Sequence, residues 1–158
     1  MNKALLLALA LIVVGCGHEG RHLDHELARK YVFMDSIGRG LFQYLDIETF
    51  EPYTGSVYQD VFEGRFEGPS YTGYLNNGFM DGPQQYWWPN GQLSRLFTYV
   101  EGVEHGPYER YEDDGTIGQR GAYDMGSRCG DWVQDGEYLT YDPCPPDLEN
   151  FGQKTGTN

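Results

Sequence analysis

Basic side chains are scarce. Eleven lysines and arginines stand against 24 aspartates and glutamates, a formal charge of −13 over 158 residues, and nowhere do the basic ones cluster. That balance argues against nucleic acid and anionic lipid headgroups as partners, both of which are bound through basic patches. Long hydrophobic runs are missing too. The one apolar stretch near the N-terminus, Ala4 to Val14, is too short to span a bilayer, for which a helix needs about 20 residues. No glycine loop is followed by Lys-Ser or Lys-Thr to cradle phosphate, no Gly-x-Ser-x-Gly elbow occurs, and no two carboxylates are singled out by spacing as acid and base. An enzyme is therefore not expected, and neither is a cofactor.

Glycine and aromatics are abundant instead. Twenty-two glycines are about twice the usual ~7%, and aromatic residues make up 15% of the chain. Such a composition speaks against a helical bundle and for short strands joined by tight turns. It also speaks against disorder, because the aromatics need burial.

The first residues combine one positive charge at Lys3, the short apolar core and small residues at Gly15-Cys16, the layout of a secretory signal. Val13-Val14-Gly15-Cys16 resembles a bacterial lipobox, which implies cleavage before Cys16 and lipid on that cysteine. A plain signal peptide cut nearby and a short uncleaved anchor are the alternatives. Gly17, where an aspartate would resemble an inner-membrane retention signal, leans towards the outer membrane of a double-membrane bacterium. Residues 1–15 are thus expected to be a leader and 16–45 a polar stalk and lead-in. Within the latter, His18 to Lys30 reads as a flexible stalk with at most a short frayed helix from Asp24 to Lys30. Tyr31 to Met34 and Leu41 to Leu45 read as strands, with a turn at 35–38. On a helix His18, His22 and His25 would share a face at metal-binding spacing, but nothing there holds a helix or supplies a second layer of partners, so no metal site is expected.

From residue 46 to 145 the chain repeats itself. Gly78, Gly102 and Gly126 are 24 apart, and so are Gly82, Gly106 and Gly130. In the same phase Gly82-Pro83 matches Gly106-Pro107, Trp87 matches Tyr111, Gly91 matches Gly115, Leu93 matches Ile117 and Tyr99 matches Tyr123. Each unit reads as two strands and two turns: Gln84 to Trp88 and Leu93 to Tyr99 around Pro89-Asn90-Gly91, then Tyr108 to Glu112 and Ile117 to Tyr123 around Asp113-Asp114-Gly115. An earlier unit places strands near Ser56 to Phe62 and over Tyr71 to Leu75, with a turn at Asn76-Asn77-Gly78. The last unit aligns Gly106-Pro107-Tyr108 with Gly136-Glu137-Tyr138, an offset of 30, which predicts about six extra residues around Asp131 to Gln134 in a capping hairpin. The expected fold is all-β, a meander of antiparallel hairpins in a mostly single-layer, twisted sheet, with 146–158 as a flexible tail. Cross-strand aromatic pairs, each worth roughly 0.2–1 kcal/mol, should hold it.

Glu51-Pro52-Tyr53-Thr54-Gly55, followed by units of the form Gly-x-x-x-Gly-Pro-x-x-x-Trp/Tyr-x-x-x-Gly, resembles the bacterial variant of the MORN repeat (membrane occupation and recognition nexus), grouped with YwqK-type antitoxin-like proteins. The resemblance implies a hairpin-repeat sheet that serves in interaction or at membranes, and no catalytic residue is carried over from it.

With Cys16 assigned to lipid, Cys129 and Cys144 form an even pair in an exported chain and read as a structural disulfide. Tyr86, Trp87, Trp88, Tyr99, Tyr108, Tyr111 and Tyr123 make an aromatic surface able to stack on sugars or hold a peptide. Strand alternation sends Trp87 and Tyr111 one way and Tyr86 and Trp88 the other. Glu109, Glu112, Asp113 and Asp114 read as a hairpin turn and its flanks, since the ligand series of a calcium loop is absent. The expected function is that of a non-catalytic, lipid-anchored envelope protein presenting its sheet to a protein partner. A glycan-binding envelope module and an antitoxin-like regulator are the alternatives.

Overall fold

Two-residue turns with glycine in second place fold each 24-residue unit. At Asn77-Gly78, Glu101-Gly102 and Met125-Gly126 the first residue has φ of 49°, 49° and 43° and the glycine 79°, 81° and 85°. Both central residues are left-handed, which gives the turn the same twist as its flanking strands. The glycine supplies that conformation freely, whereas Glu101 and Met125 are held in it by the pairing on either side.

The computed structural model describes residues 20–23, 26–34, 40–60 and 68–148. The leader, Cys16, His18, His25, the turn at 35–38 and the tail beyond 148 lie outside them. Among the described residues there are strands and turns and no helix. The strands are β1 (Arg21–His22), β2 (Leu27–Met34), β3 (Gly40–Asp46), β4 (Gly55–Asp60), β5 (Pro69–Asn76), β6 (Phe79–Met80) and β7 (Gly82–Trp87). They continue with β8 (Leu93–Val100), β9 (Val103–Glu104), β10 (Gly106–Tyr111), β11 (Ile117–Asp124), β12 (Ser127–Gln134) and β13 (Glu137–Thr140). Eleven of them form one open sheet, in the order β1-β4-β5-β7-β8-β10-β11-β12-β13 with the short β6 and β9 beside β5 and β8, and β2 and β3 pair as a separate hairpin. All pairings are antiparallel except β1 with β4. The expected all-β hairpin meander is the observed architecture.

A regular hydrogen bond links successive units. Gly78 N–H donates to Tyr53 O, Gly102 N–H to Met80 O and Gly126 N–H to Glu104 O, at 2.7, 2.8 and 2.7 Å. Each turn thus hangs on the chain just before it, which satisfies backbone donors that a sheet corner would otherwise leave open.

The sheet is a single layer over much of its length, with a cover at each end. At the first end, Leu27 and Tyr44 from the β2–β3 hairpin pack on Val57, Tyr71 and Leu75 of β4 and β5, all buried. Asp46 closes β3: its Oδ1 accepts the N–H groups of Glu48 and Thr49, and Arg21 pairs with its Oδ2. Those two backbone donors, with Arg21 adding, hold its carboxyl below the ordinary carboxylate range. At the far end Ala122, Cys129 and Leu148 form a second, smaller cluster with Cys144 against it, so the start of the segment expected as a flexible tail is packed down. The Cys129–Cys144 disulfide straps the chain after β13 onto β12.

Two expectations are corrected. The first is the stalk: Arg21 and His22 form a strand along β4, in register with Val57 and Tyr58, and β2 begins at Leu27, where a frayed helix was the alternative. His22 and Leu27 are buried, because the polar stretch covers an edge that would otherwise be open. The second concerns the last unit. Residues 131–134 are no insertion but continue β12 from Gly130, itself left-handed at φ 64° like Gly82 at 70°. Trp132 therefore takes the place of Tyr108 and Gln84, and the 24-residue phase runs through. What departs is the next turn, where Asp135-Gly136 follows Gln134 directly and the final hairpin is tighter.

Candidate functional site

Register places one set of side chains on one face of the sheet. Gln84 lies opposite Phe97, Tyr71 opposite Tyr86, Tyr108 opposite Gly121 and Tyr123 opposite Gly106. From these positions a ladder of rings runs across six strands. Ring centroids are separated by 4.8 Å for Tyr71–Tyr86, 6.1 Å for Tyr86–Phe97 and 4.9 Å for Phe97–Tyr108. Tyr108 then stacks on Trp132 at 5.4 Å, and Tyr123 meets the same indole edge-on at 5.1 Å. Arg128 caps the row, its guanidinium 4.3 Å from the Trp132 ring centre and 5.8 Å from that of Tyr141. Offset and edge-on rings are the arrangements that aromatic quadrupoles favour.

This ladder is structure more than surface. Tyr71, Tyr108 and Trp132 are buried, and burial pushes the phenols of Tyr71, Tyr86 and Tyr108 upward. Gln84, wholly buried, accepts from the Tyr71 hydroxyl and donates through Nε2 to the carbonyls of Tyr74 and Asp81 at 3.1 Å. The Trp132 Nε1–H donates to Ala122 O and Cys129 O at 3.2 and 3.1 Å.

The seven aromatics expected as a binding face are therefore divided. Tyr86, Tyr99, Tyr108 and Tyr123 belong to the ladder, with Tyr99 6.0 Å from Phe97. Trp87 and Tyr111 take register positions on the opposite face. There the Tyr111 hydroxyl donates to Glu109, which also holds Arg120, and that hydrogen bond raises the phenol. Trp88 lies in neither row. β7 ends at Trp87 after a register shift, and Trp88 N–H donates to Gln92 O across the turn while Gly91, at φ 83°, closes it. This is a three-residue hairpin loop with a bulge, and the same loop recurs at Glu112 to Thr116.

The two loops sit side by side. Trp88 Nε1–H donates to Tyr111 O at 3.2 Å and Asn90 Nδ2–H to Asp113 O at 2.7 Å. Between them runs an open groove lined by Trp88, Pro89, Asn90, Glu112 and Asp113. Asp114, by contrast, is a turn residue: the Thr116 hydroxyl and N–H both bond its carboxylate and lower its pKa.

Cys129 and Cys144 are joined, as the even count suggested. Near this strap His105 lies with Nδ1 3.3 Å from Asp124 and Nε2 3.3 Å from Asp147. His22, buried in β1, approaches the Asp60 carboxylate at 3.5 Å. Among the described residues no three His, Cys, Asp or Glu side chains gather where a metal could be held.

Gln84, Phe97, Arg128 and Trp132 escaped the sequence reading as members of one constellation. The 24-residue spacing of 84, 108 and 132 was the signal for two of them, obscured because Gln, Tyr and Trp do not look alike. No family model, no curated protein and no solved structure matches the chain.

Proposed function

We propose that the protein is a non-catalytic, lipid-anchored component of a bacterial cell envelope that presents a MORN-like repeat sheet to a protein partner, with the outer membrane as its favoured site in a double-membrane bacterium. The observation that carries this reading is the middle of the sheet. Among the described residues β8 and β10 pack chiefly against their sheet neighbours, without a second layer, and leave Trp87, Leu96 and Tyr111 half-buried on the face opposite the ladder. Half-covered apolar side chains set among polar ones, as Leu96 is between Gln85 and Glu109, on a single-layer support are the form of a contact surface.

Two further features support the envelope. A disulfide persists in oxidising compartments, and Cys129–Cys144 is placed to tie down a chain end. The sequence Val13-Val14-Gly15-Cys16 is the expected lipidation signal.

Intact mass and membrane fractionation test the anchor. A mature chain beginning at Cys16 with a lipid-sized increment, pelleting with membranes and turned soluble by Cys16→Ser, is the expected result; a soluble, unlipidated wild type overturns it. A photo-crosslinking residue at Leu96 tests the contact surface. A discrete adduct in intact cells, absent with the same residue at exposed Glu48, is expected, and equal background from both positions overturns it.

A further inference from the structure

The groove between the two stacked loops has an unusual inventory of hydrogen-bonding groups. Its side-chain donors are spent: the Trp88 Nε1–H is bound to Tyr111 O, and the Asn90 amide N–H groups reach Asp113 O and Gln92 Oε1. Asn90 Oδ1 is taken by Gln92 N–H. What remains on the side chains is acceptor and π-face. Among the described residues the exposed Asp113 carboxylate has no side-chain partner, Glu112 keeps one oxygen beyond its 3.1 Å pair with Arg110, and the indole of Trp88 is held in place by its own N–H.

A sugar brings acceptors as well as donors, and no side-chain donor of the groove is left to answer its acceptors. A cation is the complement. Ammonium and guanidinium groups are donors only, are drawn to an indole face, and pair with carboxylates. The chain's charge of −13 favours the approach of such a group from a distance. We infer that the groove of Trp88, Asn90, Glu112 and Asp113 is a docking site for a lysine or arginine side chain on a basic segment of a partner protein. This rests on the reading of the sheet as an interaction module and names the chemistry of the partner.

The site is also prepared in advance. Both loops carry the same turn, and the Asn90–Asp113 and Trp88–Tyr111 bonds fix one against the other, so binding need order little that is not already ordered.

The full chain in non-ionic detergent, titrated with hexalysine at low ionic strength, tests this. Only three tryptophans are present, so the Trp88 indole N–H signal is readily followed by NMR and assigned with Trp88→Phe. The Trp88 signal should shift and saturate. Glu112→Gln with Asp113→Asn should weaken hexalysine at least fivefold, while the charge-matched pair Glu101→Gln with Glu137→Gln changes it less than twofold. Equal weakening by both pairs shows attraction to bulk charge and overturns the proposal. So does a Trp88 signal that ignores hexalysine and moves with a neutral tetramer of N-acetylglucosamine. If the Leu96 crosslink survives in a chain whose groove fails these tests, the interaction reading stands and the groove alone falls; if the crosslink is absent as well, both fall.

Discussion

The indole of Trp132 lies directly on the backbone of Gly121, where a β-carbon would overlap its Cδ2, Cε2 and Nε1 atoms. The two residues are neighbours across β11 and β12, and the ring fills the space that a side chain at 121 would need. Gly121→Ala must push the indole off Tyr108 and Tyr123, and overpacking of this kind costs about 1–3 kcal/mol. Urea unfolding should show that loss, with a larger one, about 3–5 kcal/mol, for Trp132→Ala.

The strap after β13 depends on Cys129–Cys144, which closes a loop with a sequence separation of 15. The chain-entropy relation gives about 3 kcal/mol for such a loop. Cys129→Ser should lower Tm under oxidising conditions, and reductant should bring the wild type down to the level of the variant. An unchanged Tm in both comparisons would leave the strap without a stabilising role.

Gln84 and Tyr71 satisfy each other where both are buried from solvent. Gln84→Leu keeps the volume but leaves the Tyr71 hydroxyl and the Asp81 carbonyl short of a partner, while Tyr74 O keeps the Asp81 N–H, at a cost of about 1–3 kcal/mol. Adding Tyr71→Phe removes one of those unmet groups. The double variant should then be less destabilised than the two single losses summed, with a coupling of roughly 0.5–3 kcal/mol by equilibrium unfolding.

Alkali should loosen the first end of the sheet. Burial raises the Tyr71 phenol far above its ordinary value, so the folded state keeps it neutral after the unfolded chain has begun to ionise. The stabilisation is complete below the unfolded pKa of about 10 and declines as pH rises beyond it, by up to ~1.4 kcal/mol per pH unit for this one group. Tyr71→Phe should lessen the dependence of stability on pH between 10 and 12, measured by urea titration at each pH.

The repeat strands were legible because glycines at fixed spacing mark where the chain must turn, and β5, β7, β8, β10 and β11 lie close to where the spacing puts them. The turns at Glu101 and Met125 were legible only through Gly102 and Gly126, since neither first residue favours a left-handed backbone. The N-terminal strands were not. Arg21 and His22 pair with residues some 36 positions away, a long-range contact that no local periodicity encodes, and their charged surroundings look like solvated chain. The last unit misled because Gly136-Glu137-Tyr138 repeats the letters of Gly106-Pro107-Tyr108, whereas the inward volume that defines the strand belongs to Trp132. The groove was hidden for a related reason. Trp88 reads as one more strand aromatic until the bulge at the end of β7 takes it out of the alternation and lays it against the next loop.

The two ends of the sheet are unlike, one sealed by the parallel β1 and the β2–β3 hairpin, the other strapped by a disulfide, and the units between them are joined by the same hydrogen bond from turn glycine to the preceding unit's backbone each time. The molecule is in this sense a ruler with fixed end-pieces. Duplication of a 24-residue stretch in its interior would lengthen it by two strand spacings, about 10 Å, and leave both end-pieces as they are. Its reach can thus change by gene duplication in discrete steps while its terminal fittings stay the same.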